Sequence, residues 1–221
     1  KREIIVTLQL FFAYYCLHMK ICVVGTGYVG LSLAVLLAQK YEVITLDVSK
    51  DRIESINNKK SPIKDVELEE FLANKLLNLK STLNKKEAYS NSDYVIIATP
   101  TNYDITTGSF DTSTVERVIS DCIEINPEGL IIIKSTIPLG FTDNMRDKFN
   151  KADIVFSPEF LRETKPLYDN LYPSRIVIGS ESKKAIKFGE MLLECSLNSK
   201  KDTPLLTMTS KEAEAVKLFS N

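Results

Sequence analysis

The chain has 221 residues, with 28 Lys and Arg against 29 Asp and Glu, and its formal net charge is −1. A charge so near zero excludes the broad basic field by which proteins hold nucleic acid or an anionic membrane surface. The single histidine, His18, lies outside the best-patterned part of the chain, which argues against a Ser-His-Asp triad and a His-rich zinc site. The four cysteines form no C-x-x-C pair, and scattered free thiols are typical of a reducing cytoplasm.

Residues 1–18 differ in pattern from the rest of the chain. Two cations precede an apolar run from Ile4 to Leu17, which has the outline of a signal peptide but lacks a small-x-small cleavage site. The run is also shorter than the ~20 residues that span a bilayer. Because Met19 directly precedes an apolar strand pattern, we interpret residues 1–18 as an upstream or non-native segment. An extra element of the fold and a true signal or anchor are the alternatives.

From Met19 onward, predicted strands and helices alternate. In chain order they are a strand at 19–24, a helix at 28–39, a strand at 41–47, helices at 51–58 and 66–79, a strand at 94–99, a helix at 115–125, a strand at 130–134, a helix at 141–149, strands at 154–156 and 175–179, a helix at 183–197, a strand at 205–208 and a helix at 211–221. The strands are continuous apolar runs, which indicates a parallel sheet covered on both faces. We therefore predict an α/β fold with a doubly wound, mostly parallel Rossmann-type sheet.

A glycine motif, GTGYVG at residues 25–30, follows the first predicted strand and opens the first helix. It matches G-x-G-x-x-G, in which Gly25 permits a tight turn, Gly27 lets the backbone approach a pyrophosphate, and Gly30 lets the helix pack close to the strand. The N-terminus of that helix offers unpaired N–H groups to the phosphates. The alternative is a glycine-rich turn in a protein that binds no phosphate.

Asp47 ends the second predicted strand, where an acid would accept hydrogen bonds from the adenosine ribose. A carboxylate there repels a 2′-phosphate, which predicts NAD rather than NADP. Arg52 is the competing signal, because a nearby arginine can hold a 2′-phosphate.

Three later motifs follow predicted strands, at the edge where open α/β sheets bind ligands. They are ATPTNYD at 98–104, KSTIPLG at 134–140 and SPEFLRE at 157–163. Together with the glycine motif, with PSRIVIG at 173–179 and with EAEAVKLFSN at 212–221, they resemble the UDP-glucose 6-dehydrogenases, within the wider UDP-glucose/GDP-mannose dehydrogenase family. The resemblance extends from Met19 to the last residue.

This resemblance implies NAD-dependent oxidation of UDP-glucose to UDP-glucuronate, by two hydride transfers through a cysteine thioester. It implies NAD as the cofactor, a nucleotide-sugar substrate, no nucleic-acid or membrane partner, and a homodimer for the complete enzyme. The cofactor contacts that it implies are Gly25, Gly27, Tyr28, Val29, Gly30, Asp47, Arg52, Thr101, Thr136 and Glu163. The implied substrate contacts are Glu159, Phe160, Leu161, Arg162, Glu163, Lys217 and Asn221.

The resemblance also implies catalytic roles. Thr136 and Glu163 would lie near the nicotinamide and the catalytic water, Glu159 would be the acid/base for thioester hydrolysis, and Lys217 and Asn221 would stabilise an oxyanion. The residue types suit this chemistry, because carboxylates can transfer protons and a cation with an amide donor can stabilise negative charge. The spacing of four within each pair would place its members on one helical face. A solvated helix face is the alternative for both pairs.

The family's nucleophilic cysteine lies in a G-x-G-G-x-C segment, and these 221 residues contain none. Cys22, Cys122 and Cys195 fall in strand and helix patterns and are predicted to be small buried hydrophobic residues. We therefore expect an NAD-binding domain at 19–208 and, at 209–221, the start of a helix leading to an absent second half. Such a chain would bind NAD without completing the oxidation. The alternatives are a non-catalytic NAD-binding remnant and half of a UDP-N-acetyl-hexosamine dehydrogenase.

Overall fold

The computed structural model describes residues 19–105, 108–150, 152–198 and 201–220. The interpretation of residues 1–18 and the role expected for Asn221 therefore lie outside the described residues. Within the described ranges, no helix is both long enough and apolar enough to cross a membrane.

Strands and helices alternate along the described chain. They are β1 (Lys20–Val24), α1 (Tyr28–Leu37), β2 (Glu42–Leu46), α2 (Lys50–Asn57), α3 (Val66–Asn74), β3 (Leu79–Thr82), α4 (Lys85–Tyr89), β4 (Tyr94–Ile97), β5 (Tyr103–Asp104), β6 (Ser109–Phe110), α5 (Ser113–Ile125), β7 (Leu130–Ile133), α6 (Phe141–Lys148), β8 (Ile154–Phe156), α7 (Pro166–Leu171), β9 (Ile176–Ile178), α8 (Lys183–Cys195), β10 (Leu205–Thr207) and α9 (Ser210–Phe219).

Six strands form one parallel sheet in the order β3-β2-β1-β4-β7-β8. The chain first builds outward from β1 to β3 and then returns to the other side of β1, so the order reverses between β1 and β4. This is the doubly wound arrangement that the sequence predicts, and the predicted fold class is confirmed. Strands β9 and β10 form a separate parallel pair, and β5 and β6 form a short hairpin.

The sheet is buried on both faces, as continuous apolar strands require. In β1, Ile21 and Val23 belong to one apolar cluster, while Cys22 and Val24 belong to the other. Helix α1 covers the first face, and eight of its ten residues are buried. Burial raises the pKa of the Cys22, Cys122 and Cys195 thiols, to about 12 for the last two. The prediction that these cysteines are buried is confirmed.

The predicted helix at 66–79 is wrong at its C-terminal end. Helix α3 ends at Asn74, and residues 79–82 form β3, which pairs with β2 at the sheet edge. The segment Lys80-Ser81-Thr82 is polar and therefore gave no strand signal. Polar contacts hold it instead, because Asn57 exchanges two hydrogen bonds of 2.9 Å with the backbone of Ser81. Helices α4 and α7 and the β5–β6 hairpin were also not predicted.

The turn between β1 and α1 is tightly constrained. Gly25 has a φ of +93°, a conformation that favours glycine, and its N–H donates to the Leu46 carbonyl at 2.8 Å. A Cβ on Gly30 would lie 1.9 Å from the carbonyl oxygen of Gly25, whereas a Cβ on Gly27 would meet no atom within 4 Å. The first and third glycines are therefore required by the fold, while Gly27 has room beside it.

We expect Gly30→Ala to lower the free energy of unfolding by about 2–3 kcal/mol, because the methyl group forces α1 away from the turn. Urea unfolding followed by circular dichroism measures the change. Gly27→Ala is the matched control and should cost less than about 1 kcal/mol. Equal losses for the two variants would contradict this account of the turn.

Candidate active site

A cleft of about 1090 Å³ opens at the carboxyl ends of β1, β2, β4 and β7. Its volume is slightly above the usual range for ligand sites, about 300–1,000 Å³, and suits a large ligand such as a dinucleotide. Most of the predicted cofactor residues line it, together with one predicted catalytic carboxylate. These lining residues are Gly25, Gly27, Tyr28, Val29, Asp47, Arg52, Thr101, Thr136 and Glu159. Gly30 is buried behind the turn.

The N-terminus of α1 faces this cleft without a cap of its own. Gly27 is the N-cap residue, no side chain accepts a hydrogen bond there, and the first turn holds no acidic residue. The unpaired N–H groups and the positive end of the helix dipole therefore remain available to an anion. With the open space beside Gly27, the turn fits a pyrophosphate.

Asp47 is fixed by several donors. Its Oδ2 accepts hydrogen bonds from Thr26 N at 2.7 Å and from Thr26 Oγ1 at 2.5 Å, and its Oδ1 accepts one from Ser49 N at 2.9 Å. Arg52 Nη1 lies 3.8 Å from Oδ2. Burial raises the pKa of Asp47, but the Thr26 and Ser49 hydrogen bonds and the charge of Arg52 outweigh it, so the pKa lies below its ordinary value. Asp47 is thus an ionised acceptor that also braces the glycine turn.

The end of the cleft near β2 and β3 has an apolar lining. Val48 and Leu83 line it, and they are 99% and 51% exposed. Tyr89 also lines it, and its buried hydroxyl has no hydrogen-bond partner among the described residues. The two exposed apolar side chains fit a flat ring such as an adenine.

A charged cluster occupies the other end of the cleft. Glu159 Oε1 lies 2.7 Å from Lys217 Nζ, and the two side chains are only 12% and 6% exposed. Glu159 Oε2 accepts a hydrogen bond of 2.8 Å from the N–H of Leu161. The interpretation of Lys217 as a solvated surface charge is therefore wrong, because the helix that carries it packs onto the domain.

Lys134 is a third member of this cluster. Its Nζ donates to Ser157 Oγ at 3.0 Å, and the residue is 7% exposed. Burial lowers the pKa of Lys134, the Glu159 carboxylate raises it and the Lys217 charge lowers it, and together they bring it to about 8. A buried ammonium at the end of a parallel strand can meet negative charge in the cleft.

The helical face expected for Glu159 and Glu163 is wrong, because residues 157–165 form no helix and α7 begins at Pro166. The two glutamates nevertheless converge on Tyr28. Burial, together with the charges of both carboxylates, raises the pKa of Tyr28 to about 12. Glu163 itself is exposed.

Of the predicted substrate residues after Glu159, Phe160 and Leu161 line a small cavity of about 50 Å³ next to it, and Arg162 does not. Arg175 lies 3.9 Å from the centre of the Phe160 ring, and Leu161 is partly buried. Arg162 is exposed and forms two side-chain hydrogen bonds with Asp169, of 3.0 and 2.5 Å.

Several residues of the cleft were not predicted as site residues. Thr26 and Ser49 hold Asp47, Val48 and Leu83 form the apolar walls, and Lys134 contributes charge. Lys134 had a local signal, since it directly follows the buried strand LIII, whereas solvated lysines lie on exposed faces.

Residues 19–195 match the family model described as the UDP-glucose/GDP-mannose dehydrogenase family, NAD binding domain. The chain belongs to this family. The matched domain binds NAD, so the predicted cofactor is confirmed.

Individual relatives agree with the family. The chain is 54% identical over 209 residues to UDP-glucose 6-dehydrogenase of Streptococcus pneumoniae, covering 92% of this chain and 52% of that protein. It resembles a solved UDP-glucose dehydrogenase of Pyrobaculum islandicum, with 30% identity, a TM-score of 0.81 and coverage of 93% and 49%. It also resembles a ternary complex of GDP-mannose dehydrogenase from Pseudomonas aeruginosa, with 30% identity, a TM-score of 0.79 and coverage of 92% and 49%. The chain thus spans about half the length of these relatives.

Lys134 generates a prediction about stability and pH. Below pH 8 the lysine is protonated in both states, and its burial destabilises the fold. Between pH 8 and its ordinary value of 10.5, the unfolded chain holds the proton more tightly, so stability rises with pH. We expect wild type to gain up to about 3 kcal/mol over Lys134→Met across this window, measured by urea unfolding at a series of pH values. Subtracting the two curves cancels the titrating groups that do not interact with Lys134 and leaves Lys134 with its two coupled neighbours, Glu159 and Lys217. A flat difference would contradict the lowered pKa.

Proposed function

We propose that this chain provides the NAD site and part of the active site of an enzyme that oxidises UDP-glucose to UDP-glucuronate. The observation that carries the proposal is that one cleft contains two features. One is a glycine turn with a nearby aspartate, which fits a dinucleotide, and the other is a carboxylate paired with a buried lysine. Gly27 and Asp47 line the cleft together with Thr136 and Glu159, and Glu159 is paired with Lys217. The 54% identity to a UDP-glucose 6-dehydrogenase supports the choice of substrate.

The binding role of this chain follows from its fixed groups. The uncapped N-terminus of α1 would hold the pyrophosphate, and Asp47 would accept hydrogen bonds from a ribose. NAD, when bound, accepts the hydride that leaves the alcohol carbon. Thr136 and Glu159, which line the same cleft, would face the nicotinamide part of the cofactor.

The chemical role rests on Glu159 and Lys217. Glu159 is held in place by Lys217 Nζ and by the N–H of Leu161, so its carboxylate is oriented before substrate arrives. We assign it the acid/base role in thioester hydrolysis. Its carboxylate takes a proton from water as the water oxygen attacks the thioester carbonyl, and the cysteine thiolate leaves. The Lys217 ammonium then stabilises the oxyanion that develops at the attacked carbonyl. Thr136 and Glu163 are proposed to position the catalytic water and the nicotinamide.

The thiol for the covalent intermediate is not supplied by the described cysteines. Cys22, Cys122 and Cys195 are buried, and none of them lines the cleft. A thioester mechanism therefore requires a cysteine outside the described residues. We propose that the isolated 221-residue chain binds NAD without sustained turnover, and that the complete enzyme is a cytoplasmic homodimer.

Asp47→Asn should raise the Kd for NADH by about tenfold, because the substitution removes the charge and loosens the Thr26 turn. The affinity for NADPH should fall less, since the repulsion of a 2′-phosphate is also removed. Fluorescence titration of the purified chain with both nucleotides measures this. Asp51→Asn, an exposed aspartate on α2 outside the cleft, is the control and should change neither Kd. Equal losses for NADH and NADPH would argue against contact between Asp47 and the ribose.

The preferred substrate is tested with the protein that the natural gene encodes. NADH formation is followed by absorbance with UDP-glucose, UDP-N-acetylglucosamine and GDP-mannose. We expect two NADH per UDP-glucose and a kcat/KM at least about 100-fold higher than with either competitor. A higher kcat/KM with UDP-N-acetylglucosamine would show that UDP-glucose is not the preferred substrate. Sustained NADH formation from UDP-glucose by the 221-residue chain alone would refute the proposal that the thioester forms on a cysteine outside the described residues.

A further inference from the structure

Glu214 is a buried carboxylate on α9 to which neither the sequence motifs nor the proposed chemistry gives a role. It is 0% exposed and lies three residues before Lys217, about one helical turn away. A fully buried carboxylate is uncommon unless strong donors surround it. Its partners therefore show what it does.

Those partners all lie at the N-terminus of α6. Glu214 Oε2 accepts a hydrogen bond of 2.6 Å from the N–H of Gly140. Glu214 Oε1 accepts one of 2.9 Å from the N–H of Thr142 and one of 2.6 Å from Thr142 Oγ1. Both carboxylate oxygens are thus engaged by charge-assisted hydrogen bonds.

Helix α6 needs this contact, because its own sequence provides no cap. Its N-cap residue is Gly140, which has a φ of +83° and no side chain to accept the first N–H groups. Glu214 supplies the missing acceptor from another helix and places a negative charge at the positive end of the α6 dipole. A local capping interaction is thereby replaced by a tertiary one.

The contact joins two parts of the proposed catalytic centre. Gly140 ends the loop 134–140, which carries Lys134 and Thr136 and leaves the sheet at β7. Helix α9 carries Lys217, whose ammonium lies 2.7 Å from Glu159 Oε1. Glu214 therefore ties the end of the loop bearing Thr136 to the helix bearing Lys217.

We propose that Glu214 is a positioning residue that locks Lys217 onto Glu159 by capping α6 from α9. The catalytic meaning of this lock rests on the proposed function, but the lock itself is a property of the folded chain. Removing it should free Lys217 while the α1 N-terminus and Asp47 stay in place, because Glu214 bonds to neither and does not line the cleft.

The test measures how fast the Lys217 amine is acetylated in the 221-residue chain, by mass spectrometry of peptides after brief labelling. Glu214→Gln keeps the shape but loses the charge and one acceptor. We expect Lys217 to react about tenfold faster in this variant, while the Kd for NADH stays within about twofold of wild type.

Glu212→Gln is the matched control, because Glu212 is also on α9 but caps only its own helix, through Thr209. It should leave the Lys217 rate unchanged. Thr142→Val removes one of the three donors from the other side and should give a smaller increase, which keeps the test decisive if Glu214→Gln does not fold. An unchanged acetylation rate of Lys217 in Glu214→Gln would overturn the proposal. If Glu214→Gln does not fold, an unchanged rate in Thr142→Val would do so. So would an equal increase in Glu212→Gln.

The labelling needs no sugar nucleotide, so its outcome is independent of the substrate. If UDP-glucose proves to be the wrong substrate while Lys217 is released in Glu214→Gln, the proposed function fails and the positioning role stands. In the enzyme that the natural gene encodes, the same variant should lower kcat about tenfold with KM for NAD unchanged. A higher KM for NAD with an unchanged kcat would overturn the positioning role.

Discussion

The site depends on the parallel pairing of β1 with both β2 and β4. The backbone leaving β1 is fixed on both sides, because Gly25 N–H donates to the Leu46 carbonyl and Ala98 N–H donates to the Val24 carbonyl, each at 2.8 Å. The segments that follow β1, β2 and β4 therefore lie in contact as they leave the sheet. Only glycine fits at position 25, because a Cβ there would lie 2.6 Å from the Ala98 carbonyl oxygen. This crowding aims the N-terminus of α1 outward and opens the cleft on both sides of the turn.

The charged end of the cleft balances opposing electrostatic effects. Glu159 interacts with two buried lysines. It forms a direct ion pair with Lys217, and its charge acts at longer range on Lys134. Burial weakens the hold of Lys134 on its proton while the carboxylate strengthens it, and the resulting pKa of about 8 is near neutrality. Groups balanced in this way are common where proton transfer or anion binding takes place.

The sequence predicted what depends on local pattern. Apolar runs such as LIII and YVII mark buried parallel strands, and the glycine motif marks the turn, because both signals lie within a few residues. It could not predict β3, whose polar residues are held by Asn57, nor the loop form of residues 157–165. The Lys217–Glu159 pair joins residues 58 positions apart, and the Glu214 cap spans more than 70. Such contacts exist only once the helices have packed.

The open N-terminus of α1 ties the stability of the domain to its surroundings. Eight of ten α1 residues are buried, so the helix is part of the core, yet its first N–H groups have no side-chain acceptor. An anion that binds there adds a free energy that grows with the logarithm of its concentration above the Kd. Melting temperatures of this chain therefore have meaning only at a stated concentration of phosphate or nucleotide, and its half-life in a cell would follow the size of the dinucleotide pool.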